Sequence, residues 1–286
     1  MLLKLQTECL NSGIFIVNGL KDNDMQTARR LFEDVDAYKR YSKTPSIEYR
    51  KVSTRDEVFL FMEEIKEYCK QGGYPILHFE VHGSQEDGIF IGNDQENISW
   101  PELVDFLRDI NITCHNNLGV VIAGCHGIYA VTQIDALKPT PFYFLVGCER
   151  DIGAGDLEEN ISRFYKKLFD GDSLLEAMKV VAEKLPTFLA EKEFIAAMIG
   201  YFREYARGKG KDKRVDNSLT KWVEFNPEHT EEEFRAFRAS LKELYKPSID
   251  EFYRNAEIFL HGRYHVSAED VLTFLQSLKG PSKLRE

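Results

Sequence analysis

Four runs of the chain are almost continuously apolar yet too short to be core helices: GIFIVNGL at Gly13–Leu20, ILHFEVHG at Ile76–Gly83, GVVIAGCHG at Gly119–Gly127 and PFYFLVGC at Pro141–Cys148. A strand that is apolar on both sides must be covered on both sides, which is the pattern of parallel sheets with crossover helices. The segments between the runs supply those helices. Ala28, Leu31, Phe32, Val35 and Tyr38 recur at helical spacing, with Asp22–Asp24 as N-cap candidates. Thr54 and Glu57 form a capping-box pattern ahead of the stripe Val58, Phe61, Met62, Ile65 and Cys69. Ser99 and Glu102 repeat it, with Pro101 in the first turn, ahead of Trp100, Leu103, Val104, Leu107 and Ile110. SIEYRKV at Ser46–Val52 alternates as an edge-like strand. The expected fold is α/β, a doubly wound and mainly parallel sheet with helices on both faces.

The periodicity divides the chain into an α/β core over 1–154 and a mainly helical part over 155–286 that completes the core and offers an interaction or regulatory region. Within the second part, RGKGKDKRVDNS at Arg207–Ser218 reads as a basic loop and TKWVEF at 220–225 as a sixth strand. Thr230, Ser248 and Ser267 each open a helix. Met25, Met62, Met178 and Met198 fall on helix stripes and read as core.

With 37 basic and 47 acidic residues the net charge is −10, so a general nucleic-acid-binding surface is not expected. No apolar stretch approaches the roughly 20 residues that span a bilayer, and the opening MLLKLQTECLNSG turns polar too early for a signal-peptide core. Five cysteines, an odd number without framework spacing, suit free thiols in a reducing cytoplasm.

Two of the strand runs end in groups that can do chemistry, His82 and Cys125. In a doubly wound sheet the carboxyl ends of the strands build the site. Neighbouring strands about 4.8 Å apart would then bring imidazole and thiol within reach. A cysteine attacks as thiolate and needs a base beside it. The flanking glycines let backbone approach a substrate, and the N–H groups of Gly83 and Cys125 are the expected oxyanion donors. Taken singly, a strand-end cysteine or histidine is also a common inert core residue; the pair at neighbouring tips is what points to catalysis. The loop CERDIGAGD after the last run carries Glu149, Asp151 and Asp156, expected to face a basic substrate side chain, although carboxylates also suit the start of a helix. No metal is expected, because a compact zinc site prefers cysteines two to four residues apart and a whole strand separates Cys114-His115 from Cys125-His126. No cofactor is expected either, since GLKDND after the first strand lacks the glycine spacing of a phosphate loop.

HFEVHG, followed by VVIAGCHG with Cys125 43 positions after His82, resembles the caspase-fold cysteine peptidases, which include caspases, metacaspases, separase and the bacterial CHAT-type proteases. The segment DLEENISRFYKKLFDGDSLLEAMKVV, through Phe164, Tyr165, Gly171 and Ala177, is similar to the CHAT pattern. The likeness covers about Gly13 to Val181. There are departures. The position two before the cysteine, acidic in metacaspases, is Ala123, and the caspase QAC is absent. The resemblance implies a cytoplasmic cysteine endopeptidase with Cys125 as nucleophile and His82 as general base. It also implies a protein substrate, an activating or inhibitory protein partner, no membrane, and a role in regulated processing or antiviral defence. One alternative is a catalytically silent caspase-fold scaffold, and another is an unrelated α/β hydrolase or ligand-binding domain in which Cys125 is incidental.

Overall fold

A computed structural model of the chain describes residues 9–38, 45–171 and 173–277. The opening MLLKLQTE, the side chain of Tyr38 and the last nine residues of the expected helical part lie outside the described residues. Among the described residues the chain divides into two units: one covers those up to Glu191 with Ile258–Arg263, and the other Lys192–Glu257 with those from Tyr264 to Ser277.

The first unit is the α/β body. In chain order it runs through β1 (Gly13–Asn18), α1 (Thr27–Tyr38), β2 (Ser46–Lys51), α2 (Arg55–Lys70) and β3 (Pro75–Glu80), then a hairpin of β4 (His82–Ser84), β5 (Gly88–Ile91) and β6 (Glu96–Ile98). It continues through α3 (Trp100–Thr113), β7 (Gly119–Ala123), a 3-10 turn at Gly127–Gln133, β8 (Phe144–Gly147), α4 (Ala154–Phe169), α5 (Leu174–Val181) and β9 (Thr187–Leu189). The main sheet has the order β2-β1-β3-β7-β8-β9, parallel throughout except that β9 runs antiparallel to β8. A mainly parallel six-stranded sheet with crossover helices is the α/β architecture that the apolar runs predict.

Alternation along the strands sorts the layers. Ile14, Ile16, Ile76, Val121, Phe144 and Val146 pack with Ala28, Leu31 and Val35 of α1, Ile161 and Phe164 of α4, and Ala177 and Val181 of α5. Residues of the opposite parity turn to the other side, where Phe15 meets Phe61 of α2 edge-on at 6.1 Å between ring centroids. The helix starts are as expected at two places: the Thr54 side chain accepts from Glu57 N–H, and Ser99 accepts from Glu102 N–H. Phe164→Ala, in the middle of the first of these layers, is expected to destabilise the unit by about 3–5 kcal/mol. A urea melt that moves by less than about 1 kcal/mol would contradict that packing.

The fold differs from the sequence expectation in four places. The boundary expected near 154 falls inside the α/β unit, because α4 and α5 fill its core and β9 extends its sheet. Residues 82–98, where the sequence carries no strand expectation beyond Gly83, form the separate antiparallel sheet β4-β5-β6. Met25, expected in the core, sits just ahead of α1 and is 48% exposed.

The fourth difference lies in the second unit. There the basic loop and the sixth strand expected over 207–225 are together one helix, α7 (Gly208–Phe225). Around it lie α6 (Ala190–Tyr205, which starts within the α/β unit), α8 (Glu231–Leu244), α9 (Ile249–Leu260, which ends in that unit) and α10 (Ala268–Ser277). TKWVEF alternates like a strand, but Val215 and Leu219 face Leu241 and Phe237 of α8, and Trp222 stacks on Phe237 at 4.9 Å. Burial of that stripe overrides the local β preference. Arg214 of the basic run lies over the Tyr245 ring, 4.2 Å from its centroid. Thr230 makes the full capping box that starts α8, and Ser248 and Ser267 accept from Glu251 and Asp270 N–H at the starts of α9 and α10.

Candidate active site

β3 and β7 are adjacent parallel strands in the register Glu80↔Ala123. His82 and Cys125 each lie two residues beyond that pair, so both continue the parity of the side packed by α1 and α4. The ladder runs one step further, Val81 N–H donating to the Ala123 carbonyl at 3.3 Å. Two glycines then let the tips close on each other. A Cβ on Gly124 would stand 2.5 Å from the Val81 carbonyl oxygen, and one on Gly83 would collide with the carbonyl oxygen of Cys125. The expected oxyanion pair, Gly83 and Cys125, thus belongs to two backbones already in contact. Beyond Cys125 the chain turns sharply: His126 adopts a left-handed conformation, φ 61°, and Gly127 N–H closes back on the Gly124 carbonyl at 3.3 Å.

His82 and Cys125 line one cleft of about 230 Å³ at this edge of the sheet, together with Asp24, Thr27 and Glu80. The hairpin β4-β5 fixes His82 from behind by pairing it with Phe90. From the loop after β1, Asp24 Oδ2 accepts a hydrogen bond from His82 Nε2 at 2.7 Å. Asp24 also accepts from Lys21 N–H at 2.8 Å. Burial alone raises the Asp24 pKa, but the His82 hydrogen bond, the Lys21 N–H and the charges of both residues outweigh it, and the carboxyl titrates below its usual range. The imidazole is therefore held through Nε2 by a carboxylate, which leaves Nδ1 as the nitrogen free for proton transfer. Asp24 does not cap α1, which starts at Thr27.

The three carboxylates expected to meet the substrate do not line the cleft. Glu149 and Asp151 are exposed, and their loop is tied to the far side of the turn, where His126 Nδ1 donates to the Glu149 carbonyl at 3.0 Å and Nε2 lies 3.3 Å from Asp151 Oδ1. Asp156 is exposed in the first turn of α4, where the helix dipole alone favours it. Ile152, Ala154 and Leu157 of the same segment are the residues that reach the cleft wall.

A buried polar chain that the apolar look of ILHFEVHG conceals runs beneath the cleft. His78 and Glu80 share the face of β3 that leads to His82. Tyr165 of α4 bonds His78 Nδ1 at 3.1 Å, His78 Nε2 bonds Glu80 Oε1 at 3.0 Å, and Thr27 of α1 donates to Glu80 Oε2 at 2.7 Å. Burial, and next the Glu80 charge, raise the Tyr165 pKa well above its usual value, so its phenol keeps its proton. The i, i+2 spacing of His78, Glu80 and His82 is the signal that would have found this chain.

Among the described residues no group of three or more His, Cys, Asp and Glu is placed to hold a metal ion, and no helix is long and apolar enough to cross a membrane. No protein-family model matches the chain, and no curated protein matches it.

Proposed function

We propose that the chain is a cysteine endopeptidase of the caspase and CHAT type that cleaves a partner protein through an acyl-enzyme on Cys125. The carrying observation is one cleft that holds Cys125 and His82, with Asp24 2.7 Å from His82 Nε2. In this reading His82 Nδ1 takes the proton of the Cys125 thiol, and the sulfur attacks the scissile carbonyl carbon to form a C–S bond and an oxyanion. N–H groups at Gly83 and Cys125 meet that oxyanion. Its collapse breaks the C–N bond, and the imidazolium protonates the leaving amine. A water then gives one proton to His82 as its oxygen attacks the thioester, and release of the acid returns the proton to the sulfur. Asp24 keeps the imidazole oriented and stabilises its charged form through both halves. All five cysteines are free, which suits a reducing cytoplasm, and a processing or antiviral-defence role under the control of a protein partner fits the resemblance to bacterial CHAT-type proteases.

Alkylation by iodoacetamide at neutral pH, read by peptide mass spectrometry, tests the reading. Burial pushes the Cys9 and Cys148 thiols up to about 12 and raises Cys69 above its usual range, chiefly through its contact with Cys114. That contact lowers Cys114, but the residue is 1% exposed. Cys125 is expected to react first, and His82→Ala is expected to remove its lead. Labelling of Cys125 at the same rate with and without the histidine is the result for a silent scaffold.

A further inference from the structure

We propose that the cleft selects an arginine or lysine side chain for the residue before the scissile bond, with Glu80 as the residue that sets this choice. The inference rests on the peptidase reading and adds the substrate class. Four apolar side chains, Leu20, Met25, Ile152 and Leu157, flank the cleft beside Cys125. Their chemistry suits a methylene stem. At about 230 Å³ the space is smaller than the roughly 300–1,000 Å³ typical of cofactor and drug-sized ligand sites, and fits one long side chain.

The charge of the cleft is one-sided. Its described lining holds two carboxylates, Asp24 and Glu80, and neither lysine nor arginine. Asp24 is committed to His82. Glu80 is only 4% exposed, and both its oxygens accept hydrogen bonds, from His78 and from Thr27. The Tyr165 hydroxyl lies 3.1 Å from His78 Nδ1 on the other side of the ring, so the imidazole bridges Tyr165 and Glu80. Two donors orient the carboxylate and leave lone pairs for a third. A guanidinium or ammonium entering along the apolar walls brings a positive charge to a lining that holds two carboxylates and neither lysine nor arginine, at a carboxylate largely shielded from water. Ala123, which pairs with Glu80 across β3 and β7, adds no side chain that would cover it.

The experiment uses the full chain and a set of peptidyl acyloxymethyl ketones that differ only in the residue next to the warhead: arginine, lysine, citrulline, norleucine or aspartate. Rates of Cys125 modification are read by intact-mass spectrometry, with iodoacetamide run in parallel as the reference for thiol reactivity. Citrulline keeps the shape of arginine without its charge. Arginine and lysine probes are expected to react about tenfold or more faster than citrulline and norleucine, the difference between a charge-assisted and a neutral contact. Glu80→Gln is expected to bring the arginine-to-citrulline ratio close to one. The ratio is the readout, so a general change in thiol reactivity cancels, and the wild-type ratio stands on its own if that variant folds poorly. Equal arginine and citrulline rates, or preference for aspartate or norleucine, overturn the specificity while His82-dependent alkylation leaves the peptidase reading standing. Loss of that His82 dependence, with no probe reacting at Cys125, overturns both.

Discussion

Cys125→Ala is expected to lower kcat/KM towards a cleaved protein by roughly 10⁴- to 10⁶-fold, and His82→Ala by a comparable amount. Combining the two should lower it no further. The shared cleft is the reason: in the proposed mechanism base and nucleophile act in one proton transfer, so once either is missing the other has nothing left to contribute. The measurement is a time course of substrate cleavage with N-terminal mapping for the wild type, the two single variants and the double variant. If the losses instead multiplied, the residues would be working in separate steps and the dyad would be wrong. Survival of cleavage in Cys125→Ala would dispose of the acyl-enzyme altogether.

The second large effect is at Asp24. Asp24→Asn leaves the shape of the loop nearly unchanged and is expected to cost about 10²- to 10⁴-fold in kcat/KM. The carboxylate accepts from Nε2 and so keeps the ring's proton there; an amide can turn its NH₂ towards the same nitrogen and favour the tautomer whose proton sits on Nδ1, the atom that takes the Cys125 proton in the proposed mechanism. The same contact has a stability signature of fixed sign. Because the folded Asp24 titrates below its ordinary value of about 3.9, its contribution is fully present above that pH and is lost as the pH falls through the lowered folded value. Urea midpoints of the wild type and Asp24→Asn should therefore converge as the pH falls from about 5 into acid. A kcat/KM within threefold of the wild type would reduce Asp24 to a loop residue.

Much of the site was legible because the strands carrying it are buried on both sides. Apolar runs at β1, β3, β7 and β8 are hard to place anywhere except the middle of a parallel sheet, and their carboxyl ends then have to share an edge. His82 and Cys125 follow from that alone. What the sequence hid has three physical causes. The hairpin strands β4, β5 and β6 are three or four residues long, too short for alternation to register. Glu80 and His78 sit in a run whose overall apolarity masks two polar residues that satisfy each other and reach Tyr165 and Thr27 from distant helices. Asp24 looks like a helix cap because caps and site carboxylates draw on the same residue types in the same short loops. The misreading of Glu149, Asp151 and Asp156 has the same root. Their loop does border the cleft, but through Ile152, Ala154 and Leu157, with the charges turned to solvent and to His126.

The two ends of the main sheet bear on how the protein behaves when crowded. A sheet that is not closed ends in rows of unpaired backbone groups, and each row is a template on which another chain can grow. Here one end is β9, only three residues long, and the other is β2, whose side chains alternate outward and whose Arg50 is clamped between Glu48 and Glu64. Short length at one border and fixed charge at the other are the usual deterrents to fibril-like stacking. Hydrophobic substitutions at Glu48 and Arg50 would leave the His82–Cys125 cleft untouched and are expected to lower the concentration at which the protein precipitates.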